Sequence, residues 1–380
     1  MELIASLNRI AEGHGAVLGV TDLAPFPEEA ERIADRVSQE LHGGLSFTYA
    51  NPDRAATPTD SFPWASSIVV VAVGYLRDGD GRADGRTVAR FADGDRYVHL
   101  TDVLGALADE LEKSGHRTEI VFDDNRLIDR AVAVRAGVGW PGKSTMVLTP
   151  GFGPWILLGS VVTDATLPTS EPMTRTCGTC DACLPACPTD AIIAPGVLDA
   201  RRCIAAILQR RGPIDPELRP AIEGRIYGCD DCLTACPPGD RYVDSVPATR
   251  KHLEATAVLT ASDAELGSML NHWYVPSRKM RFVRRNALVA LGNTGGEDSL
   301  GILSGYVGHP DPLLAGHAAW AVGRIGGPVA HAICSAALRS ETDPIVREEL
   351  AAAVTASLHG GVYAESMNTS QHIDSKENAR

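Results

Sequence analysis

Eight of the nine cysteines fall between Cys177 and Cys236, at spacings that suit metal ligation better than a disulfide framework. Cys177, Cys180, Cys183 and Cys187, followed by Pro188, form C-x2-C-x2-C-x3-C-P. This is the bacterial ferredoxin run, in which three thiolates hold one 4Fe-4S cluster and the fourth reaches to a second. A partner motif is then required, and Cys229-x2-Cys232-x3-Cys236-Pro237 supplies it, with Cys203 in RRCIA as the remaining ligand. Counting assigns Cys177, Cys180, Cys183 and Cys236 to one 4Fe-4S cluster, and Cys203, Cys229, Cys232 and Cys187 to the other. A pair of tetrahedral zinc sites is the alternative. Zinc usually takes two ligands from each of two knuckles, whereas C-x2-C-x2-C wraps three ligands around one cube. Cys334, alone in an Ala-rich stretch, reads as a buried inert thiol. Two neighbouring clusters make a one-electron relay, and the rest of the chain is more protein than a carrier needs.

Three kinds of sequence surround these thiols. From 1 to 168, strand-like runs such as AVLGV (16–20), SIVVVAVGY (67–75), TEIVFD (118–123) and PWILLGSVV (154–162) alternate with helical periodicity in FPEEAERIADRVSQEL and LTDVLGALADELEKSG. That is an α/β domain with a sheet covered on both sides. From 169 to 245 the chain is rich in Pro, Gly and Cys, with one clear helix near ARRCIAAILQRR, so ligated metal is expected to supply its stability. From 246 to 360 the pattern is helical and repeats: NALVALGNTGG (286–296) matches HAAWAVGRIGG (317–327), and DPLLAGHAAWAV (311–322) echoes DPIVREELAAAV (343–354). Helix pairs at such a period indicate HEAT-like repeats; two unrelated Ala-rich helices are the alternative. The tail, 361–380, lacks periodicity and is expected to be disordered.

The net charge of −13 argues against broad polyanion binding, so any nucleic-acid contact must be local. No apolar run is long enough to span a membrane, and the start lacks a basic segment followed by an apolar core. A cytoplasmic protein is expected, and nothing in the layout calls for more than a monomer.

The stretch before the thiols, VFDDNRLIDRAVAVRAGVGWPGKSTMVLTPGFGPWILLGSVV (121–162), places Gly137, Gly139, Gly142 and Gly151 around Trp140 and Lys143. Such glycines would let backbone approach a large flat ligand, or would serve only to reverse the chain. The whole combination resembles the epoxyqueuosine reductase family: DRAVAVRAGVGWPGK, CGTCDACLPACPTDAI, DARRCIA, RIYGCDDCLTACP and a HEAT-like end with RRNALVALG. The resemblance runs from about residue 15 to 355. It implies an α/β cobalamin-binding domain, a ferredoxin-like two-cluster insert and an all-α HEAT-like repeat domain. It also implies reduction of the epoxide of epoxyqueuosine in tRNA to queuosine, with electrons passing from an external low-potential donor through the clusters to cobalamin.

Carried over by residue, the resemblance implies that Asp123 is the catalytic acid and also borders the cobalamin. Opening an epoxide leaves an alkoxide, which such an acid would protonate. Burial beneath a corrin and the neighbouring Asp124 would favour its neutral form, whereas Arg126 would oppose them. The implied corrin contacts, partly through main chain, are Ala89, Arg90, Val147, Leu158, Ile204 and Ala205. A basic run, Arg278, Lys279, Arg281, Arg284 and Arg285, is read as a phosphate-binding stripe for the anticodon stem-loop, or as a solvated helix face. The chain departs from the family in two places: Val98 follows Tyr97 where the family often has Tyr-His, and Asp124, Asn125 and Arg126 follow the implied acid. Two other functions fit the same motifs: a related reductase of another epoxide or halogenated substrate, and a non-catalytic electron-transfer module.

Overall fold

The computed structural model describes residues 2–82, 85–249 and 252–358. The expected tail, 361–380, and residues 359 and 360 of the expected repeat region lie outside the described residues. The described residues form two units, one of 2–82, 88–210 and 228–249, the other of 85–87, 211–227 and 252–358. The strands of the first unit, in chain order, are β1 (Ala16–Thr21), β2 (Ser67–Gly74), β3 (Thr118–Val121), β4 (Trp140–Pro141), β5 (Val147–Leu148), β6 (Ile156–Thr163), β7 (Ile192–Ala194) and β8 (Val197–Leu198).

The main sheet has the order β1-β2-β6-β3, and every pairing in it is antiparallel. Alternation along β2 explains why that strand carries no charge. Val69, Val71 and Val73 enter one core with Leu100, Val103, Leu104, Leu107 and Leu111 of the helix Tyr97–Lys113. Ile68, Val70 and Ala72 enter the other with Phe62, Val132, Ala133 and Ala136. Each fully buried Leu or Val contributes roughly 1.5–3 kcal/mol, so the sheet is held from both faces. Runs this apolar are commoner in parallel sheets, and the antiparallel order is the structure's own information.

The cysteine-rich segment does not depend on metal alone for its place. Leu233 and Val243 join the first core, and the Trp155 indole Nε1–H donates to Gly239 O at 2.8 Å. Residues 211–227, by contrast, are tied into the helical unit. Arg219 forms a two-pronged pair with Glu349 at 2.9 and 2.6 Å, the Ile214 N–H donates to His317 Nε2 at 3.1 Å, and the Asn286 amide donates to Ile226 O at 2.9 Å.

In the second unit the helices Arg281–Thr294, Pro312–Ile325 and Pro344–Leu358 pack in succession. Gly292 and Gly323 occupy equivalent repeat positions, and a Cβ at either would lie 2.7 Å from a backbone Cα of the next helix, Ala321 or Ala353. The repeat thus encodes close helix approach. Among the described residues no helix is long and apolar enough to cross a membrane.

Candidate active site and cluster-binding thiols

The eight clustered thiols all lie in the first unit, and none of the nine cysteines forms a disulfide. Short turns set their local spacing: the Cys180 N–H donates to Cys177 O at 3.0 Å and the Cys187 N–H to Leu184 O at 3.2 Å. Cys177, Cys180, Cys183 and Cys236 line one cavity together with Gly142, Lys143, Ser144, Leu148 and Pro237. Burial pushes the Cys236 thiol up to about 11, with Cys177, Cys183 and Cys180 adding to the effect. Burial likewise raises Cys183, helped by Cys177 and Cys180.

Cys187, although part of the same run, turns to a different group. Burial raises the Cys203 thiol and Cys187 adds to it; burial raises Cys232 further, with Cys203 and Cys187 the next largest causes. Cys187 Sγ also accepts the Ala191 N–H at 3.2 Å. Cys203 caps the helix Ile204–Gln209, and the N–H groups of Ala205 and Ala206 stabilise its thiolate. Cys229 is half-buried on the same segment as Cys232. Thiols crowded this way keep their protons until a metal displaces them, which suits a thiolate-ligated metal group. Lys143 reaches the first set from outside, its Nζ donating to Gly178 O at 2.9 Å.

Asp123 follows β3 in a left-handed conformation, φ 48°, with its side chain exposed. The Tyr97 phenol donates to its Oδ2 at 2.5 Å, and the Tyr97 ring stacks on Phe122. Tyr97 begins its helix next to Arg96, whose guanidinium meets Asp80 at 2.9 Å with both side chains fully buried. The expected opposition from Arg126 is spent elsewhere: its guanidinium pairs with Asp124 at 2.7 Å and Glu119 at 2.6 Å. Hydrogen bonding to Arg126 holds the Asp124 carboxyl below its usual range. Nothing in spacing relates Tyr97 to Asp123; the partnership exists only in the fold. Val98 is exposed, and the His99 ring lies 6.2 Å from that of His14.

Arg130 links this region to the second thiol group. Its Nη1 donates to Thr145 O at 3.1 Å, and its charge acts on both Asp129 and Cys203. Of the implied corrin contacts, Ala89, Arg90, Val147 and Ile204 have buried side chains, while Leu158 and Ala205 are half-buried. Arg90 is committed internally: its backbone N–H and its Nη1 both donate to Asp230 Oδ2 at 2.9 Å, and its guanidinium lies over Trp155.

Three of the four glycines are crowded by the chain's own atoms, since a Cβ on Gly137 would lie 2.3 Å from Glu171 O, one on Gly139 2.5 Å from Leu148 O and one on Gly142 2.3 Å from Leu148 Cδ1, while one on Gly151 would meet open space. One expectation needs correction. The basic run is largely neutralised. Arg285 is fully buried and donates to Gly212 O at 2.6 Å, Arg284 pairs with Asp263, and Arg281 meets Asp311 at 2.6 Å. Arg278 and Lys279 are exposed, although Arg278 also donates to Trp273 O at 2.9 Å.

Residues 176–239 match the family of 4Fe-4S double cluster binding domains, and residues 281–355 match HEAT repeats. The chain is 34% identical to the epoxyqueuosine reductase of Bacillus subtilis over 351 residues, 88% of this chain and 90% of that one. It is 30% identical to the epoxyqueuosine reductase of Escherichia coli over 328 residues, 80% of this chain and 84% of that one. Among solved structures, an epoxyqueuosine reductase with an epoxyqueuosine-modified tRNA-Tyr stem loop superposes with a TM-score of 0.84 at 31% identity, covering 94% of this chain and 99% of that one. The Bacillus subtilis enzyme, in a structure with its catalytic aspartate loop swung out of the active site, gives 0.83 at 31% identity, covering 93% and 99%.

Proposed function

The chain belongs to the epoxyqueuosine reductase family, and on that premise we propose that it reduces the epoxide of epoxyqueuosine in tRNA to queuosine, fed by an external low-potential electron donor. The observation that carries this reading is the Tyr97 phenol seated on Asp123 Oδ2 at 2.5 Å in the same unit as the eight clustered thiols.

In this reading Cys177, Cys180, Cys183 and Cys236 hold one 4Fe-4S cluster and Cys187, Cys203, Cys229 and Cys232 the other. Each supplies single electrons. Cobalamin would be held by main chain at Ala89, Arg90, Val147 and Ile204, whose side chains are turned into the protein, and by the half-buried Leu158 and Ala205, with Asp123 at its border. When bound, it supplies a strongly reducing centre suited to a strained C–O bond. The chain's own contribution is proton placement. Asp123, exposed and oriented by Tyr97, gives its proton to the oxygen freed as the epoxide opens, and Tyr97 stabilises the carboxylate left behind. Lys279 and Arg278 supply phosphate contacts for the stem-loop, while Arg281, Arg284 and Arg285 serve the helical unit.

The test is mass spectrometry of tRNA nucleosides after anaerobic incubation with the protein, cobalamin and a low-potential reductant. Queuosine accumulates in this reading; persistent epoxyqueuosine with both clusters intact overturns it.

A further inference from the structure

Tyr274 lies between the helices Asp263–Met269 and Arg281–Thr294 and is 50% exposed, the most exposed aromatic residue among those described. Its main chain is clamped at both polar groups by a single hydroxyl. The Tyr227 phenol donates to Tyr274 O at 3.1 Å and accepts the Tyr274 N–H at 3.0 Å. The Tyr227 ring is itself buried and stacks on the buried Trp273 ring, with centroids 4.2 Å apart and planes 19° from parallel. Two aromatic residues inside the unit thus hold a third at its surface. A ring left half in water adds little to the core, but fixing its backbone in advance lowers the entropy cost of a later contact.

The residues around Tyr274 carry positive charge. Ser277 and Arg278 both adopt left-handed conformations, φ 51° and 53°, and side chains hold the turn they make. Arg211 Nη2 donates to Ser277 Oγ at 2.7 Å, and Arg278 Nη1 donates to Trp273 O at 2.9 Å. Arg211, Arg278 and Lys279 are exposed, and none of the three forms an ion pair among the described residues. Between Glu265 and Glu297 the sequence has no acidic residue, although the chain contains 48. An exposed aromatic beside three unpaired cations is therefore set in a locally positive segment of an acidic protein.

We propose that Tyr274 is a stacking platform for one unpaired base of the RNA loop, with Arg211, Arg278 and Lys279 taking neighbouring phosphates. The proposal rests on the tRNA reading argued above and adds to it a contact that phosphates alone do not supply. A paired stem offers backbone charge and a groove, whereas a loop offers bases whose faces are open. Stacking of such a base on an aromatic ring tolerates any base identity, because every base has a π-face. The cations position the strand and the ring distinguishes loop from stem. A clamp through main-chain atoms suits this role, since it leaves the side chain at position 274 replaceable without disturbing what holds the segment.

The test uses cofactor-loaded protein and the epoxyqueuosine-bearing anticodon stem-loop, with the blunt duplex of its stem as comparison. Tyr274→Ala should weaken stem-loop binding roughly 5- to 150-fold and leave the duplex affinity unchanged. No charge is lost, so the slope of log affinity against log salt stays at the wild-type value. Tyr274→Phe and Tyr274→Trp, which keep a ring, should bind as wild type does. A stem-loop carrying 2-aminopurine at one loop position at a time should lose fluorescence on binding at the stacked position. That quenching should persist in Tyr274→Phe and vanish in Tyr274→Ala. Equal stem-loop affinity and equal quenching in wild type and Tyr274→Ala overturn the platform and leave the assigned reaction standing. Equal losses for stem-loop and duplex also overturn it, because a ring reading loop bases does not alter duplex binding. A Tyr274-dependent quench in a protein that forms no queuosine upholds the platform and removes only the assigned reaction.

Discussion

Tyr97 and Asp123 come from separate elements, a helix start and the loop after β3, and meet through a 2.5 Å hydrogen bond from the phenol to Oδ2. The buried Arg96–Asp80 pair fixes the helix start, so the phenol is held independently of the loop it restrains. Tyr97 is thereby placed to restrain the loop that carries Asp123. Tyr97→Phe deletes the hydrogen bond that stabilises the carboxylate left when Asp123 gives up its proton, worth about 1.5–3 kcal/mol. Single-turnover kinetics should therefore slow by roughly 10- to 100-fold, with stem-loop affinity unchanged. A variant as fast as wild type would remove Tyr97 from the acid step.

Lys143 places a cation at the rim of the cavity lined by Cys177, Cys180, Cys183 and Cys236. A nearby positive charge favours the reduced, more negative cluster. Lys143→Met should lower the potential of that cluster by on the order of 1 kcal/mol, or about 40 mV for one electron, leaving the other cluster nearly unmoved. A redox titration followed by electron paramagnetic resonance measures both.

The basic run divides by burial. Arg285→Ala empties a fully buried guanidinium site and strands the Gly212 carbonyl and Asn286 side chain, so calorimetry should show Tm falling by several degrees. Arg278→Glu with Lys279→Glu should leave Tm nearly unchanged, weaken stem-loop binding several-fold and flatten its salt dependence.

Gly139→Ala inserts a methyl against Leu148 O and Val147 Cγ1, at 2.5 and 2.6 Å, across the β4–β5 pairing. The backbone must shift, at a cost of about 1–3 kcal/mol. Thermal unfolding should register it even in cluster-loaded protein.

What could be read in advance follows from the range of the interactions. The grouping of Cys177, Cys180, Cys183 and Cys236 at one cavity was legible because their motifs impose local spacing, and the two-sided burial of β2 was legible because its run is apolar nearly throughout. Strand direction was not, since period-two patterns are the same for parallel and antiparallel pairing. Arg285 looked like part of a charged surface because the helix Arg281–Thr294 is buried almost all round, and a sequence cannot show that Gly212 O waits beneath it. Gly137, Gly139 and Gly142 advertised close approach, and the chain's own atoms are among those that approach them. Tyr274 drew no notice beside the basic run, because the Tyr227 hydroxyl that clamps it is 47 residues away in sequence.

The most direct measurement compares wild type and Asp123→Asn, both loaded with clusters and cobalamin, for queuosine formed in epoxyqueuosine-bearing tRNA under a low-potential reductant. The account predicts that the variant binds stem-loop and accepts electrons as wild type does, yet forms no queuosine. Queuosine formed at the wild-type rate by Asp123→Asn would contradict it.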